Sequence, residues 1–327
     1  MRPALPVVDL SGDPTAVARA VGDACSTVGF FLVTGHGVEP VVIDTAWRAV
    51  RSFFDAPLDV RLTAARRHPD DAYGYIPLAV ESLNRSMSDG ATAPDLKETF
   101  NVGPHRLPPR PLIDDGERWA FASTPWPTGP ADLRPALEAY FDAMLELSAR
   151  LMRCFADALE VGTHHFDSLI DESPSALRVI DYPEQGRPPL PGQLRAGAHT
   201  DYGTLTVLLQ DDAPGGLEVL DPRSNSWAPV RAVPGSFVVN LGDMMARWTN
   251  DRWRSTLHRV VNPPADHAGS TRRQSIAFFH NANYHAVVQC LPSCLAEGEV
   301  PRHPPVEAGP HLMSKFHRTI GRDTVGP

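Results

Sequence analysis

From residue 177 onward the chain breaks into short apolar and β-branched runs, at 177–182, 204–210, 217–220, 236–241, 256–261 and 273–280. Gly215-Gly216, Pro234-Gly235 and Gly242-Asp243 stand between them as turn residues. Such runs bury a face only by pairing with several others, so the pattern predicts a β-sandwich or barrel. No G-x-G-x-x-G or P-loop lies between a strand and a helix, which argues against a nucleotide-binding fold. No internal repeat is visible.

Upstream the texture is helical after one short strand at 6–10. Apolar spacing predicts helices over 15–27 and 41–54, with Gly29-Phe30-Phe31-Leu32-Val33 as a buried strand between them. Pro57 starts a further short helix. Residues 66–130 carry Pro104, Pro108, Pro109, Pro111, Pro125, Pro127 and Pro130. Proline at that density excludes long helices and central strands, so this stretch reads as an irregular loop layer over the core. Leu133, Leu137, Phe141, Met144, Leu151, Phe155 and Leu159 then form the stripe of a long helix starting at Pro130 and ended by Gly162. A short helix at 312–320 closes the tail.

The chain has 327 residues and a formal net charge of -9. It shows no basic stripe, which argues against a nucleic-acid partner. No apolar run reaches the roughly 18 residues of a membrane span. Met1 to Leu10 lacks the layout of a signal peptide. These features predict a cytoplasmic protein, monomeric or weakly homo-oligomeric. Cys25, Cys154, Cys290 and Cys294 read as reduced thiols. The many Ala, Arg, Pro and Gly residues match a high-GC bacterium, where specialised metabolism, antibiotic biosynthesis included, is a fitting setting.

The strongest chemical signal is His199-Thr200-Asp201, with His258 far downstream in Ser255-Thr256-Leu257-His258-Arg259-Val260. On a strand, residues two apart share a face, so His199 and Asp201 point together. A helix would turn them about 200° apart. Two imidazoles and a carboxylate are the ligand set of the facial triad that holds non-haem Fe(II) and leaves positions open. Zinc takes similar ligands for hydrolysis. The residue types alone leave both metals open.

The surrounding text narrows this. Gly29-Phe30-Phe31, Gly35-His36-Gly37, Asp95-Leu96-Lys97-Glu98, Leu177-Arg178 to Tyr182-Pro183 and His199-Thr200-Asp201-Tyr202-Gly203 occur in order. Gly215-Gly216-Leu217, Asn240-Leu241-Gly242-Asp243, Thr249-Asn250, the His258 segment and Arg273-Gln274-Ser275 follow. In these segments the chain resembles the isopenicillin N synthase-like branch of the 2-oxoglutarate/Fe(II)-dependent dioxygenases, over nearly its whole length. The resemblance implies a mainly β fold with flanking helices, built on a double-stranded β-helix (jelly-roll) core. It implies Fe(II) on His199, Asp201 and His258, with O₂ and 2-oxoglutarate as cosubstrates. Arg273 and Ser275 match the family's R-x-S motif for the distal carboxylate of 2-oxoglutarate, and Tyr182 a tyrosine that assists it. Ile180 stands where plant relatives often carry Asn, so their substrate contacts do not transfer. Organisation follows: a mainly helical region 1–176 with two short strands, the loop layer 66–130 and the long helix 130–161; the Fe(II)-binding core 177–290; and a tail 291–327. The first two pack as one unit.

For the substrate, Arg178 shares strand parity with Tyr182, and Phe279 with Arg273, so both face the interior. An interior Arg needs an anionic or hydrogen-bonding partner, and Arg178 is assigned a polar or anionic substrate group. Asn281, Phe100 and Asn101 are further pocket candidates. Lys97-Glu98 reads as a surface ion pair or a pocket pair. His36 reads as a structural turn residue, Asn240 and Asp243 as turn or capping residues, and His280 as pointing outward. The expected reaction is oxidation of an unactivated C–H bond of a small molecule, hydroxylation first, with desaturation or ring closure as variants. An oxidase that does without 2-oxoglutarate and a non-catalytic small-molecule binding protein are the alternatives.

Overall fold

The computed structural model describes residues 5–83 and 93–319. The chain opens with β1 (Val7–Asp9), α1 (Pro14–Thr27), β2 (Phe30–Thr34), α2 (Pro40–Asp55), α3 (Leu58–Leu62), β3 (Gly74–Ile76), β4 (Glu98–Val102) and α4 (Asp115–Ala120). The long α5 (Leu133–Ala158) and short α6 (Asp167–Ile170) lead into β5 (Ala176–Tyr182), β6 (Ala196–His199), β7 (Leu205–Gln210), β8 (Gly216–Asp221), β9 (Ser226–Pro229) and β10 (Phe237–Leu241). Then come α7 (Asp243–Trp248), β11 (His258–Val261), β12 (Arg273–His280), β13 (Val287–Val288), β14 (Val306–Glu307) and α8 (Ala308–Thr319). Residue 320 of the expected last helix lies outside the described residues.

Eight strands form a large sheet in the order β1-β2-β10-β7-β12-β5-β4-β3, and four form a small one in the order β6-β11-β8-β9. This is the double-layered core expected of a jelly roll. Alternation along the large sheet sorts its residues between two very different faces. Leu177, Val179, Val207, Val239, Ile276 and Phe278 face one way and join the main apolar cluster with residues of α1, α2 and α5. Their neighbours Arg178, Ile180, Tyr182, Leu208, Asn240, Ser275 and Ala277 face the other way and line a cavity shared with the small sheet. The helices therefore close one face, and the functional pocket occupies the other.

Local chemistry sets the elements that frame this sheet. Asp13 caps α1, its carboxylate accepting from the Ala16 N–H at 3.0 Å, with Pro14 in the first turn. α5 buries one continuous stripe from Leu133 to Phe155, the pattern that lets a helix lie flat on its neighbours. It starts and stops within three or four residues of the expected bounds.

The stretch 66–130 departs from expectation. It carries β3 and β4, which extend the large sheet through pairing of β4 with β5, and it carries α4. The prolines cluster after β4, so they shape the connection to α5 and leave the strands intact. The region before 177 thus contributes four strands, and β1 to β4 all belong to the core sheet. β13 pairs with β14 from the tail. All four cysteines are free thiols.

Candidate metal centre and its pocket

β6 pairs with β11 so that His199 and His258 sit directly opposite, with ring centroids 4.3 Å apart. Strand alternation does not carry Asp201, because β6 ends at His199. Asp201 lies in the following loop, held there by its backbone: its carbonyl accepts from the Asp243 N–H at 2.8 Å. Oδ1 of Asp201 lies 3.9 Å from Nε2 of His199 and 3.7 Å from Nε2 of His258. The three ligand atoms fall within 4.8 Å of one another. Atoms about 2.1 Å from one ion stand roughly 3 to 4 Å apart across its face, so a small cation fits with little adjustment.

Each side chain is turned toward this point by a second contact. Nδ1 of His199 lies 2.8 Å from the Gly197 carbonyl, and Nδ1 of His258 lies 3.1 Å from the Thr256 carbonyl. A carbonyl can only accept, so both Nδ1 atoms donate, which leaves Nε2 as the ring atom turned toward a metal. Oδ2 of Asp201 accepts from Thr206 Oγ1 at 2.6 Å and from Asn240 Nδ2 at 2.7 Å. That engages one carboxylate oxygen and presents the other. Burial and the neighbouring His258 push the His199 imidazole down to about 3, which keeps it neutral. Burial raises the Asp201 carboxyl, but the two imidazoles and its two hydrogen bonds outweigh this and hold it below its ordinary value. Neutral imidazoles and an ionised carboxylate are the ligand states a divalent ion requires.

The same cavity runs past Arg273, Ser275 and Tyr182. Arg273 is 1% exposed. Its Nη2 donates to Gln210 Oε1 at 2.6 Å, while Nε and Nη1 have no hydrogen-bond partner among the described residues. Asp211 comes no nearer to Nε than 3.8 Å. The guanidinium lies 5.1 Å from the centre of the Tyr182 ring, and that of Arg195 lies 5.8 Å from the same ring. Leaving guanidinium donors buried and unpaired is costly, and a carboxylate satisfies such a fork well. A dicarboxylate cosubstrate therefore fits the residues present.

Two independent likenesses now bear on identity. The profile of the 2OG-Fe(II) oxygenase superfamily matches residues 173–282, and that of the N-terminal region named for a non-haem dioxygenase in morphine synthesis matches residues 5–128. A 2-oxoglutarate-Fe(II) type oxidoreductase of Emericella nidulans is 33% identical over 310 residues, 94% of this chain and 85% of that protein. This chain belongs to the 2OG-Fe(II) oxygenase superfamily. A full-length Neurospora crassa protein solved in complex with alpha-KG superposes on this oxygenase with a TM-score of 0.82 at 29% identity, over 96% of each chain. The same fungal protein with alpha-KG and thymine gives a TM-score of 0.81 at 29% identity, covering 96% of this chain and 97% of that one. The protein is an Fe(II)- and 2-oxoglutarate-dependent dioxygenase, with O₂ as its other cosubstrate.

The remaining site expectations divide. Arg178, Asn101, Phe279 and Asn281 line the pocket of the oxygenase. Asn281 also clamps the lead into β5, donating from Nδ2 to the Pro174 carbonyl at 2.9 Å. Phe100 does not reach the pocket. It is fully buried on the helix-covered face, against Phe53 and Trp126, because it is one residue out of step with Asn101. Lys97 and Glu98 are likewise opposed: Lys97 turns into the pocket and bonds Asp95 at 2.6 Å, whereas Glu98 pairs with Arg61 on the other face. Neither is a surface pair. His280 does point away from the pocket, yet it is buried, with Nδ1 2.7 Å from Thr204 Oγ1. His36 is structural, its Nδ1 accepting from the Val38 N–H.

Sequence reasoning missed several contributors. Asn240 holds a candidate iron ligand rather than a turn. Glu81, Tyr73 and Trp119 reach the pocket from the stretch read as a loop layer, and Leu312 and Phe316 of α8 reach it from the tail. The parity of Asn240 with Val238 was visible, but its partner across the sheet was not.

Proposed function

We propose that the protein hydroxylates an unactivated C–H bond of a small molecule, using His199, Asp201 and His258 as the Fe(II) ligands and Arg273, Ser275 and Tyr182 as the grip on 2-oxoglutarate. One observation carries this reading: Arg273 is buried, with two donors that have no partner among the described residues, in the cavity that also holds the triad. Fe(II) with 2-oxoglutarate and O₂ supplies an oxidant able to take hydrogen from such a bond, leaving succinate and CO₂.

The chain's own residues do the positioning. Arg273 pairs with the far carboxylate as a fork, and Ser275, two residues on along the same face, adds a hydroxyl. Asn240 and Thr206 fix the Asp201 carboxylate, and the Gly197 and Thr256 carbonyls fix the two rings. Phe30, packed edge-on against His258 with centroids 5.3 Å apart, excludes water beside that ligand. Arg178, Phe279, Asn281 and Asn101 face the remaining volume, where the substrate would lie. The isopenicillin N synthase-like branch is the placement the motif order favours. A bacterial specialised pathway in the cytoplasm is the setting, supported by composition.

The test measures succinate from purified protein with Fe(II), ascorbate, 2-oxoglutarate and candidate substrates. Succinate should form one-for-one with hydroxylated product, and only when 2-oxoglutarate is present. Substrate oxidation that continues at full rate without 2-oxoglutarate defeats the reading.

A further inference from the structure

The end of the pocket lined from β4 and β5 holds a cluster of charges that are unevenly paired. Arg178, Lys97 and Glu81 all line it. Lys97 has its own counter-ion, Asp95, at 2.6 Å, and Glu81 lies 3.7 Å from it. Arg66 leans on the same Glu81 and also faces Asp70 and Asp71. Among the described residues Arg178 has no carboxylate partner but Glu81, and that contact is 3.4 Å. Charge-assisted bonds are normally about 2.7–2.9 Å. The other bond of Arg178 is from Nε to the neutral Asn101 Oδ1 at 2.8 Å. Asn101 Nδ2, also buried, has no partner among the described residues. A guanidinium with only a long carboxylate contact and an amide short of an acceptor are thus held side by side at the wall of a cavity.

The surroundings define the rest of the ligand. Tyr73 engages its hydroxyl on the Ala120 carbonyl at 2.6 Å, and Trp119 its indole N–H on the Asp70 carbonyl at 2.7 Å. With their polar tips occupied, both rings offer only apolar surface. Phe279 lies with its ring centre 6.0 Å from the Arg178 guanidinium, and Phe316 packs on Trp119 at 5.1 Å. The register separates this end from the 2-oxoglutarate grip. Arg273 pairs with Tyr182, and Arg178 is four residues earlier on β5, roughly 13 Å along the strand. The two arginines therefore stand at different positions along the cavity.

We infer that the substrate is a monocarboxylate with a compact apolar or aromatic body, its carboxylate received by Arg178 and Asn101. The inference rests on the proposed oxygenase reading of the same pocket. Glu81 acts as a resident stand-in: it keeps Arg178 oriented when the pocket is empty and competes with the incoming carboxylate. Burial raises the Glu81 carboxyl, but Arg178, Lys97 and Arg66 outweigh this and hold it below its ordinary value, so it stays charged in this role.

The experiment is anaerobic calorimetry on protein loaded with Fe(II) and saturating 2-oxoglutarate. The probes are 3-phenylpropanoate and cyclohexanecarboxylate, their primary amides, and 3-phenylpropylamine. The acids should bind about tenfold or more tighter than the amides. Arg178→Gln should erase that preference, and Arg178→Lys should keep part of it. Glu81→Gln should tighten acid binding several-fold, which a purely architectural Glu81 would not do. Equal affinity for acid and amide, preference for the amine, displacement of 2-oxoglutarate by the acids, or no acid binding would each overturn the inference. In all four cases metal-dependent binding of 2-oxoglutarate, measured without acid present, would persist. Its loss in the unaltered protein would instead overturn the proposed function.

Discussion

Asn240 on β10 donates its side-chain amide to Oδ2 of Asp201 at 2.7 Å, across 39 residues of sequence. The bond settles which carboxylate oxygen faces the two imidazoles. Thr206 donates to the same oxygen at 2.6 Å. Both donors stand on the pocket face of the large sheet, whereas the imidazoles stand on the small one. The metal centre is therefore assembled across the gap between sheets, with Asp201 tied to both.

Removing the amide should loosen that tie. Asn240→Ala should weaken Fe(II) or Co(II) binding about 10- to 100-fold, the usual effect of losing a partner that orients a ligand. Metal titration followed by visible absorption of the Co(II) form measures it. Unchanged affinity in a folded variant would show that Thr206 alone fixes the carboxylate.

Arg273→Lys keeps the charge and loses the planar fork. The KM for 2-oxoglutarate should rise about 30-fold or more, corresponding to ~2 kcal/mol of lost pairing at a buried site. Metal affinity should not change. A KM within twofold of the original would remove Arg273 from the cosubstrate site.

His280 supplies a pH dependence independent of the metal. Burial pushes its imidazole down to about 3, against about 6.5 in an unfolded chain. The folded state disfavours the proton, so the His280 contribution is fully present above pH ~6.5. It is lost as pH falls from ~6.5 toward ~3, by up to ~1.4 kcal/mol per pH unit. Urea midpoints at pH 7, 5.5 and 4.5 should fall less steeply for His280→Gln than for the parent. Parallel slopes would mean that other groups account for the whole acid response.

Phe100 and Phe279 should behave oppositely. Phe100→Ala leaves a cavity between the large sheet and the helices and should cost about 3–5 kcal/mol of stability, without altering the substrate KM of the folded fraction. Phe279→Ala should raise that KM at smaller cost in stability. Chemical denaturation and steady-state kinetics on both variants decide it, and a substrate effect from Phe100 would contradict its burial behind the sheet.

The readable parts of the sequence were those whose chemistry is local or whose pattern is periodic. The strand runs and the stripe of α5 follow from periodicity. The triad and the Arg273–Ser275 pair follow from the resemblance of their segments to the oxygenase family, with which the ligand chemistry and strand parity agree. What escaped was relational. β4 looked irregular because its partner, β5, lies far along the chain. Phe100 and Asn101 were both assigned to the pocket, although alternation permits only one of two neighbours; the choice depended on which face the helices cover. The same ambiguity hid the opposite orientations of Lys97 and Glu98. Asn240 carried the local signature of a turn residue and nothing in its neighbourhood announced Asp201. His280 pointed away from the pocket as expected, but that direction leads into α-helical packing and not to water.

Much of the substrate end of the pocket comes from a different stretch of the chain than the iron end, although Arg178, Phe279 and Asn281 belong to the same core as the metal ligands. The residues proposed to hold iron and 2-oxoglutarate all lie between Tyr182 and Ser275, whereas Tyr73, Glu81, Lys97, Asn101 and Trp119 lie before residue 130 and Phe316 lies in α8. Selection can therefore retool what enters this enzyme by editing its front segment and closing helix, while the oxidising apparatus is inherited intact. Exchange of 70–120 between related chains is the corresponding route for engineering, with β4 pairing to β5 as the joint that must be preserved.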